Sequence, residues 1–187
     1  MDEAKITDEQ KTRISGHWDS LKRFDGYIGT ANFKCGLITS LNAAVFGGVI
    51  LKADQILSTS AETSKIILIL LLGIVSLSAL SIFWVIRSIW PNLKSASLSQ
   101  GNPSLYFFAS IATNFDAQRF AEQSKKYTAD DIERDLAIQV HEIATITLLK
   151  MRHISTASSI TAVNIFTLLT LGVLLTLKSY GIDLCKP

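Results

Sequence analysis

Three uncharged apolar stretches, Cys35 to Leu51, Ile66 to Ile86 and Ile154 to Leu177, divide the chain. Each approaches the roughly 20 residues that a helix rising about 1.5 Å per residue needs to cross a hydrocarbon core about 30 Å thick. In that solvent every backbone N–H and C=O must be paired within its own segment, so the stretches are predicted as helices rather than strands or loops. The middle stretch is apolar but for its serines, the first is short and carries Asn42, and the third is rich in Ser and Thr. The expected fold class is an all-α integral membrane protein: three transmembrane helices and a small cytosolic helical bundle.

Between the spans the pattern changes to amphipathic. Thr7 is a predicted N-cap, with Asp8 and Glu9 in the first helical turn. Ile14, Trp18, Leu21, Phe24 and Ile28 follow at spacings of three and four on one face, which Asp25 interrupts. This helix either lies flat on the membrane or stands as an extension of the first span. No proline separates the two, and although Gly26 and Gly29 weaken a continuous helix, the standing form is the one expected. After the second span Pro91 ends the helix, and SASLSQGNPS reads as a loop. Short helices are predicted over Ser104 to Thr113 and Asn114 to Tyr127. Thr128 then caps a helix with Asp131 in the reciprocal position of a capping box. Ile132, Leu136, Val140 and Ile143 continue one face, giving a helix of about 50 residues that runs into the third span. The resulting segments are 1–34 (cytosolic amphipathic helix), 35–90 (two spans and a short outer loop), 91–153 (cytosolic helical region) and 154–187 (third span and outer tail).

Charge adds an orientation. Lys22, Arg23, Lys34, Arg87, Lys94, Lys150 and Arg152 outnumber Lys52, Lys65, Lys178 and Lys186 on the other side of the spans, so the N-terminus is expected in the cytosol and the C-terminus outside. Trp84 and Trp90 flank Arg87 as an interfacial aromatic belt would. No cleavable leader is expected, because the first thirty residues are thick with charge. A formal net charge of +2 over 187 residues gives no reason to expect nucleic acid as a partner. Cys35 and Cys185 fall at opposite ends of the topology, which excludes a bond between them within one subunit and leaves Cys185 as a free tail thiol or a link between subunits.

Candidate chemistry is sparse. His17, His141 and His153 have no metal-ligand spacing, there is no phosphate-cradling glycine loop and no nucleophile elbow, and neither an enzyme nor a cofactor or metal is expected. His141 reads as a helix-surface histidine. Asp130, Asp131, Glu133 and Asp135 are too close in sequence to face one another on a helix and read as acids favouring its N-terminus. In the first span, Gly36, Ser40, Ala44 and Gly48 form a ridge of small side chains of the kind that lets helices approach closely in lipid. In the third, His153, Ala157, Thr161, Asn164 and Thr167 share one side, and with Asn42 they form a polar seam. That seam is either a pore-lining or subunit-pairing face of a homo-oligomer, or packing within one subunit. The basic set Arg119, Lys125, Lys126, Arg134, Lys150 and Arg152 offers contacts for a phosphate-bearing ligand, with Trp90, Tyr106 or Phe107 stacking a base. The plainer reading is solvated helix faces and span-end anchors. Arg119, Lys126, Lys150 and Arg152 are the candidate ligand contacts.

The order of two spans, IWPNLK, SLYFFASIA, then DLAIQVHEIATITLLKMRHI entering a last span, resembles the transmembrane effectors of the Pycsar antiphage system. The matching positions are Trp90, Pro91, Leu105 to Ala112, and Asp135, Leu136, Gln139, His141, Ile146, Lys150 and Arg152. The resemblance implies a bacterial inner-membrane protein that responds to cUMP or cCMP, made by a cognate cyclase, by impairing the membrane and ending growth of the infected cell. An alternative of another class is a membrane scaffold or regulatory subunit that binds a protein through the Ile14 to Ile28 face.

Overall fold

The computed structural model of the protein describes residues 6–58, 64–90 and 103–181. Among these the regular structure is entirely helical: α1 (Asp8–Ser58), α2 (Ser64–Ile89), α3 (Phe108–Asn114), α4 (Ala117–Lys126) and α5 (Ala129–Ser179). Three of them, α1, α2 and α5, are long and apolar enough to cross a membrane. The expected standing form of the N-terminal helix is observed. α1 continues through Gly26 and Gly29 without a break, each glycine costing about 1 kcal/mol against alanine in a helix. Thr7 caps it as expected, its Oγ1 accepting the Gln10 N–H at 3.2 Å. Pro91, Lys94, the SASLSQGN stretch and Cys185 lie outside the described residues.

The chain divides into two units, Met1–Thr30 with Pro91–Leu149, and Ala31–Trp90 with Lys150–Pro187. In the second unit, parts of α1 and α5 pack with α2 along seams whose residues recur at alternating intervals of three and four. The seam comprises Ala31, Cys35, Ile38, Asn42, Val45 and Val49 on α1. On α2 it is Ile67, Leu71, Ile74, Ser78, Ser81, Val85 and Ser88, and on α5 Ile154, Ala157, Thr161, Asn164, Leu168 and Leu171, all buried or half-buried. This is the 3.5-residue period of helices packed side by side. Apolar clusters form at Ala31, Cys35, Val85, Ile154 and Ala157, and at Val49, Ile67, Leu71, Ile74 and Leu171. The outward positions Leu37, Leu51, Ile69, Leu72, Phe83, Phe166, Leu169 and Val173 are exposed. An exterior more apolar than parts of its interior is stable against hydrocarbon and costly against water.

In the first unit, the starts of α1 and α5 run parallel: Gln10 donates to Asp130 and Arg13 makes a two-pronged pair with Glu133. Trp18 meets Tyr106 edge to face with ring centroids 5.5 Å apart, while Leu21, Leu105 and Leu136 are buried. Two helix boundaries differ from expectation. Ser104 does not begin α3; its Oγ accepts the N–H groups of Tyr106 and Phe107, both at 3.0 Å, a local turn that competes with helix. The helix therefore starts at Phe108. α4 starts later than Asn114 because Asp116 caps it, accepting the Arg119 N–H at 2.8 Å. The capping box before α5 forms as expected: Thr128 N–H reaches Asp131 Oδ2 at 3.1 Å, and the Asp131 N–H returns to Thr128 Oγ1 at 3.2 Å.

Candidate functional site

A cavity of about 330 Å³ opens in the first unit, lined by Pro103, Leu105, Phe115, Arg119, Gln123, Lys126, Tyr127, Asp131 and Arg134. Local sequence builds it. Once Asp116 fixes the start of α4, Arg119, Gln123 and Lys126 fall four and three residues apart and share one helical face. Tyr127 follows as the C-cap, in extended conformation, just before the Thr128 cap turns the chain into α5. That turn brings Asp131 and Arg134 to the same wall. Arg134 Nη2 lies 3.2 Å from Asp131 Oδ1, and the Asp131 carboxyl is held below its usual range by its Thr128 hydrogen bonds first and by Arg134 after them. The lone anion on the lining is thus already engaged, against three cations. Such an arrangement suits an anionic ligand, because Arg and Lys hydrogen bonds to phosphate are charge-assisted.

One layer behind the lining is Asp135, read from sequence as one of the acids favouring the helix N-terminus, which is buried. Its Oδ2 accepts the Leu105 N–H at 3.0 Å and the Tyr127 O–H at 3.1 Å. The Tyr127 phenol is pushed well above its usual range by burial, and then by the negative charge of Asp135 and their hydrogen bond, so it remains a proton donor. Tyr106 is raised by burial first and Asp135 second. Gln139, a turn further along α5, is buried with its Nε2 unpartnered.

Of the four candidate contacts, the structure brings Arg119 and Lys126 together on this lining. Lys150 and Arg152 belong to the other unit. There Lys150 Nζ donates to Ser88 O at 2.9 Å, a cation at the carbonyl end of α2, and Arg152 is exposed. The aromatic residues expected to stack a base are elsewhere: Tyr106 is against Trp18, and Phe107 is against Phe108 at 5.1 Å. Phe115 and Tyr127 line the cavity instead. Arg134 belongs to the wider basic set but not to the four candidates, and Gln123, Phe115 and Tyr127 are absent from both, although the spacing of 119, 123 and 126 on one face, running up to the Thr128 cap, carries the signal.

The polar seam closes on itself inside the second unit. Asn42 Nδ2 donates to Thr161 Oγ1 at 2.8 Å, Ser81 Oγ meets Thr161 Oγ1 at 2.8 Å, and Asn164 Nδ2 donates to Ser78 Oγ at 2.7 Å and to Asn42 Oδ1 at 3.3 Å. Asn164 Oδ1 is left without a partner. Thr167 stands apart, bonding back to Val163 O at 2.9 Å, and His153 packs against Trp84 with centroids 5.3 Å apart. On α1, Gly36, Ser40, Ala44 and Gly48 are exposed, and a methyl group added at Gly36 or Gly48 would meet nothing within 4 Å. The small-residue ridge therefore takes no part in packing the subunit at these two glycines. Among the described residues no group of three or more His, Cys, Asp or Glu is placed to hold a metal ion.

Fold and site together define a small helical membrane protein with three spans and a basic cavity outside its apolar stretches. A family model, the Pycsar effector protein domain, matches residues 17–177, and the chain belongs to that family. No curated protein and no solved structure matches it.

Proposed function

We propose that the protein is a non-enzymatic effector that binds a cyclic pyrimidine mononucleotide, cUMP or cCMP, in the cavity of its first unit and answers by impairing the bacterial inner membrane. The observation that carries this reading is the convergence of Arg119, Lys126 and Arg134 with Phe115 and Tyr127 on one cavity of about 330 Å³. That volume is at the small end of ligand pockets, which run from about 300 to 1,000 Å³, and suits a mononucleotide. The cations take the phosphate, and the aromatic rings and Gln123 face the base and sugar. In this reading residues 1–34 and 91–153 are cytosolic, residues 35–90 and 154–187 supply the spans and their outer connections, and the N-terminus is inside with the C-terminus outside. A ligand acts only through its different affinity for two states. The output is an association or rearrangement of subunits through the exposed Gly36, Ser40, Ala44 and Gly48 ridge that opens a leak and ends the growth of the infected cell.

The scaffold alternative has less support. Of the face it reserves for a partner, Ile14, Leu21, Phe24 and Ile28 are buried or half-buried within the chain itself, and Trp18, though 40% exposed, already packs against Tyr106.

The test is thermal unfolding of the detergent-solubilised protein with cUMP, cCMP, cAMP and cGMP. A ligand at one hundred times its dissociation constant adds about 2.7 kcal/mol to stability. A rise in melting temperature with one pyrimidine nucleotide and not with the purines is the expected result. No rise with any of the four, in folded protein, overturns the reading.

A further inference from the structure

Behind the basic cavity lies a carboxyl group that none of the ion pairs among the described residues includes. Asp135 is 5% exposed, and its Oδ2 is shared by the Leu105 N–H and the Tyr127 O–H. Both donors belong to residues that line the cavity, so a single oxygen on α5 fixes two of its walls. Four residues further along the same helix, Gln139 is 3% exposed and its Nε2 has no partner. Side chains on a helix lean toward its N-terminus, which tilts Gln139 toward Asp135, and amide–carboxyl pairs at that spacing are favourable. The Gln139 amide is thus a buried donor without a partner, one helical turn from a carboxylate that can accept from it.

We propose that Asp135 is a positioning residue with two settings: on Leu105 and Tyr127 it holds the cavity in its unliganded shape, and on Gln139 it frees both walls for an anionic ligand. The proposal rests on the reading of this cavity as the nucleotide site. The orphaned Gln139 amide gives the second setting a stabilising contact that the first lacks. The Tyr127 hydroxyl, once released, is a donor facing the ligand rather than the carboxyl behind it.

The experiment compares the full-length wild type with Gln139→Met, a near-isosteric change that removes the alternative donor. In ligand-free protein, hydrogen exchange at the Leu105 amide reports how often the first setting opens. The expected result is exchange about five- to tenfold slower in the variant, within the usual range of coupling between sites, with cUMP or cCMP binding weakened by a similar factor and a melting temperature no lower than wild type. Unchanged exchange in a folded variant overturns the proposal, as does slower exchange with unchanged nucleotide affinity. Tyr127→Phe provides the opposite arm. Loss of one of the two donors should speed Leu105 exchange, and an unaltered rate counts against the shared oxygen. If the wild type binds no cyclic nucleotide, the proposed ligand falls, and the exchange rates alone decide whether the two settings exist.

Discussion

Asn42 on α1 donates to Thr161 on α5 at 2.8 Å, with both residues buried in a unit whose exterior is apolar. Hydrogen bonds of this kind between spans contribute about 0.6 kcal/mol on average and up to about 1.7. Asn42 also reaches Ser81 and receives the Asn164 amide, so Asn42→Ala leaves several groups unpaired at once. The variant should lose roughly 1–2 kcal/mol, read as a lower melting temperature in detergent. Thr167→Ala, which removes only a bond back to Val163 O, should leave the melting temperature close to wild type. Equal effects from the two substitutions would contradict the polar seam that joins Asn42, Ser81, Thr161 and Asn164.

The cavity predicts a ranking among basic residues. Hydrogen bonds to charged groups contribute about 1.5–3 kcal/mol, and each 1.4 kcal/mol or so is tenfold in affinity. Arg119→Ala, Lys126→Ala and Arg134→Ala should therefore each weaken nucleotide binding about tenfold or more in titration calorimetry. Arg134→Ala carries an extra signature, because it also frees Asp131 from its ion pair. Lys150→Ala should act differently. It strips a donor from the Ser88 carbonyl and lowers melting temperature while leaving nucleotide affinity unchanged.

Much of the architecture was legible in the sequence because it depends on local signals. Thr7, Thr128 and Asp131 announce helix starts through side chains that reach only three residues along the chain, and the spans follow from uninterrupted apolar runs. The sequence reading of the seam departs from it at two residues, since His153 and Thr167 lie beside it and Ile154 and Leu168 on it. Helices packed side by side follow a 3.5-residue period and not the 3.6 of an isolated helix. The cavity was half legible. Arg119 and Lys126 follow from charge alone. The partner residues Tyr127 and Asp135 depend on a turn at Ser104 bringing the Leu105 amide to α5, a contact 30 residues apart in sequence that no periodicity encodes.

Acid should loosen the first unit from two places outside the apolar stretches. The Asp131 carboxyl is lowered by its capping bonds to Thr128, and the Glu133 carboxyl by its hydrogen bond to Arg13. A carboxyl whose folded-state pKa lies below its unfolded value stabilises the fold fully above the unfolded value, and that contribution is lost as pH falls through the folded one. The ordinary values are 3.8 and 4.5, so melting temperature should be insensitive to these groups near neutral pH and should drop below about pH 4. Asp131→Asn should flatten part of that acid limb. Both groups are half-buried at the surface, and salt should shrink the Glu133 contribution more than the capping one, whose bonds are short-ranged.

The exposed ridge on α1 separates folding of the subunit from association. Gly36 and Gly48 have open space where a side chain would begin, so Gly48→Leu should fold as wild type, with an equal or slightly higher melting temperature because glycine is a poor helix former. Close approach of two helices in lipid needs small residues at the contact, and a leucine there holds the backbones apart. The expected result is nucleotide binding at wild-type affinity together with loss of nucleotide-dependent crosslinking between subunits and of dye release from liposomes. Dye release at the wild-type level from a folded Gly48→Leu protein would mean that the leak forms without this face.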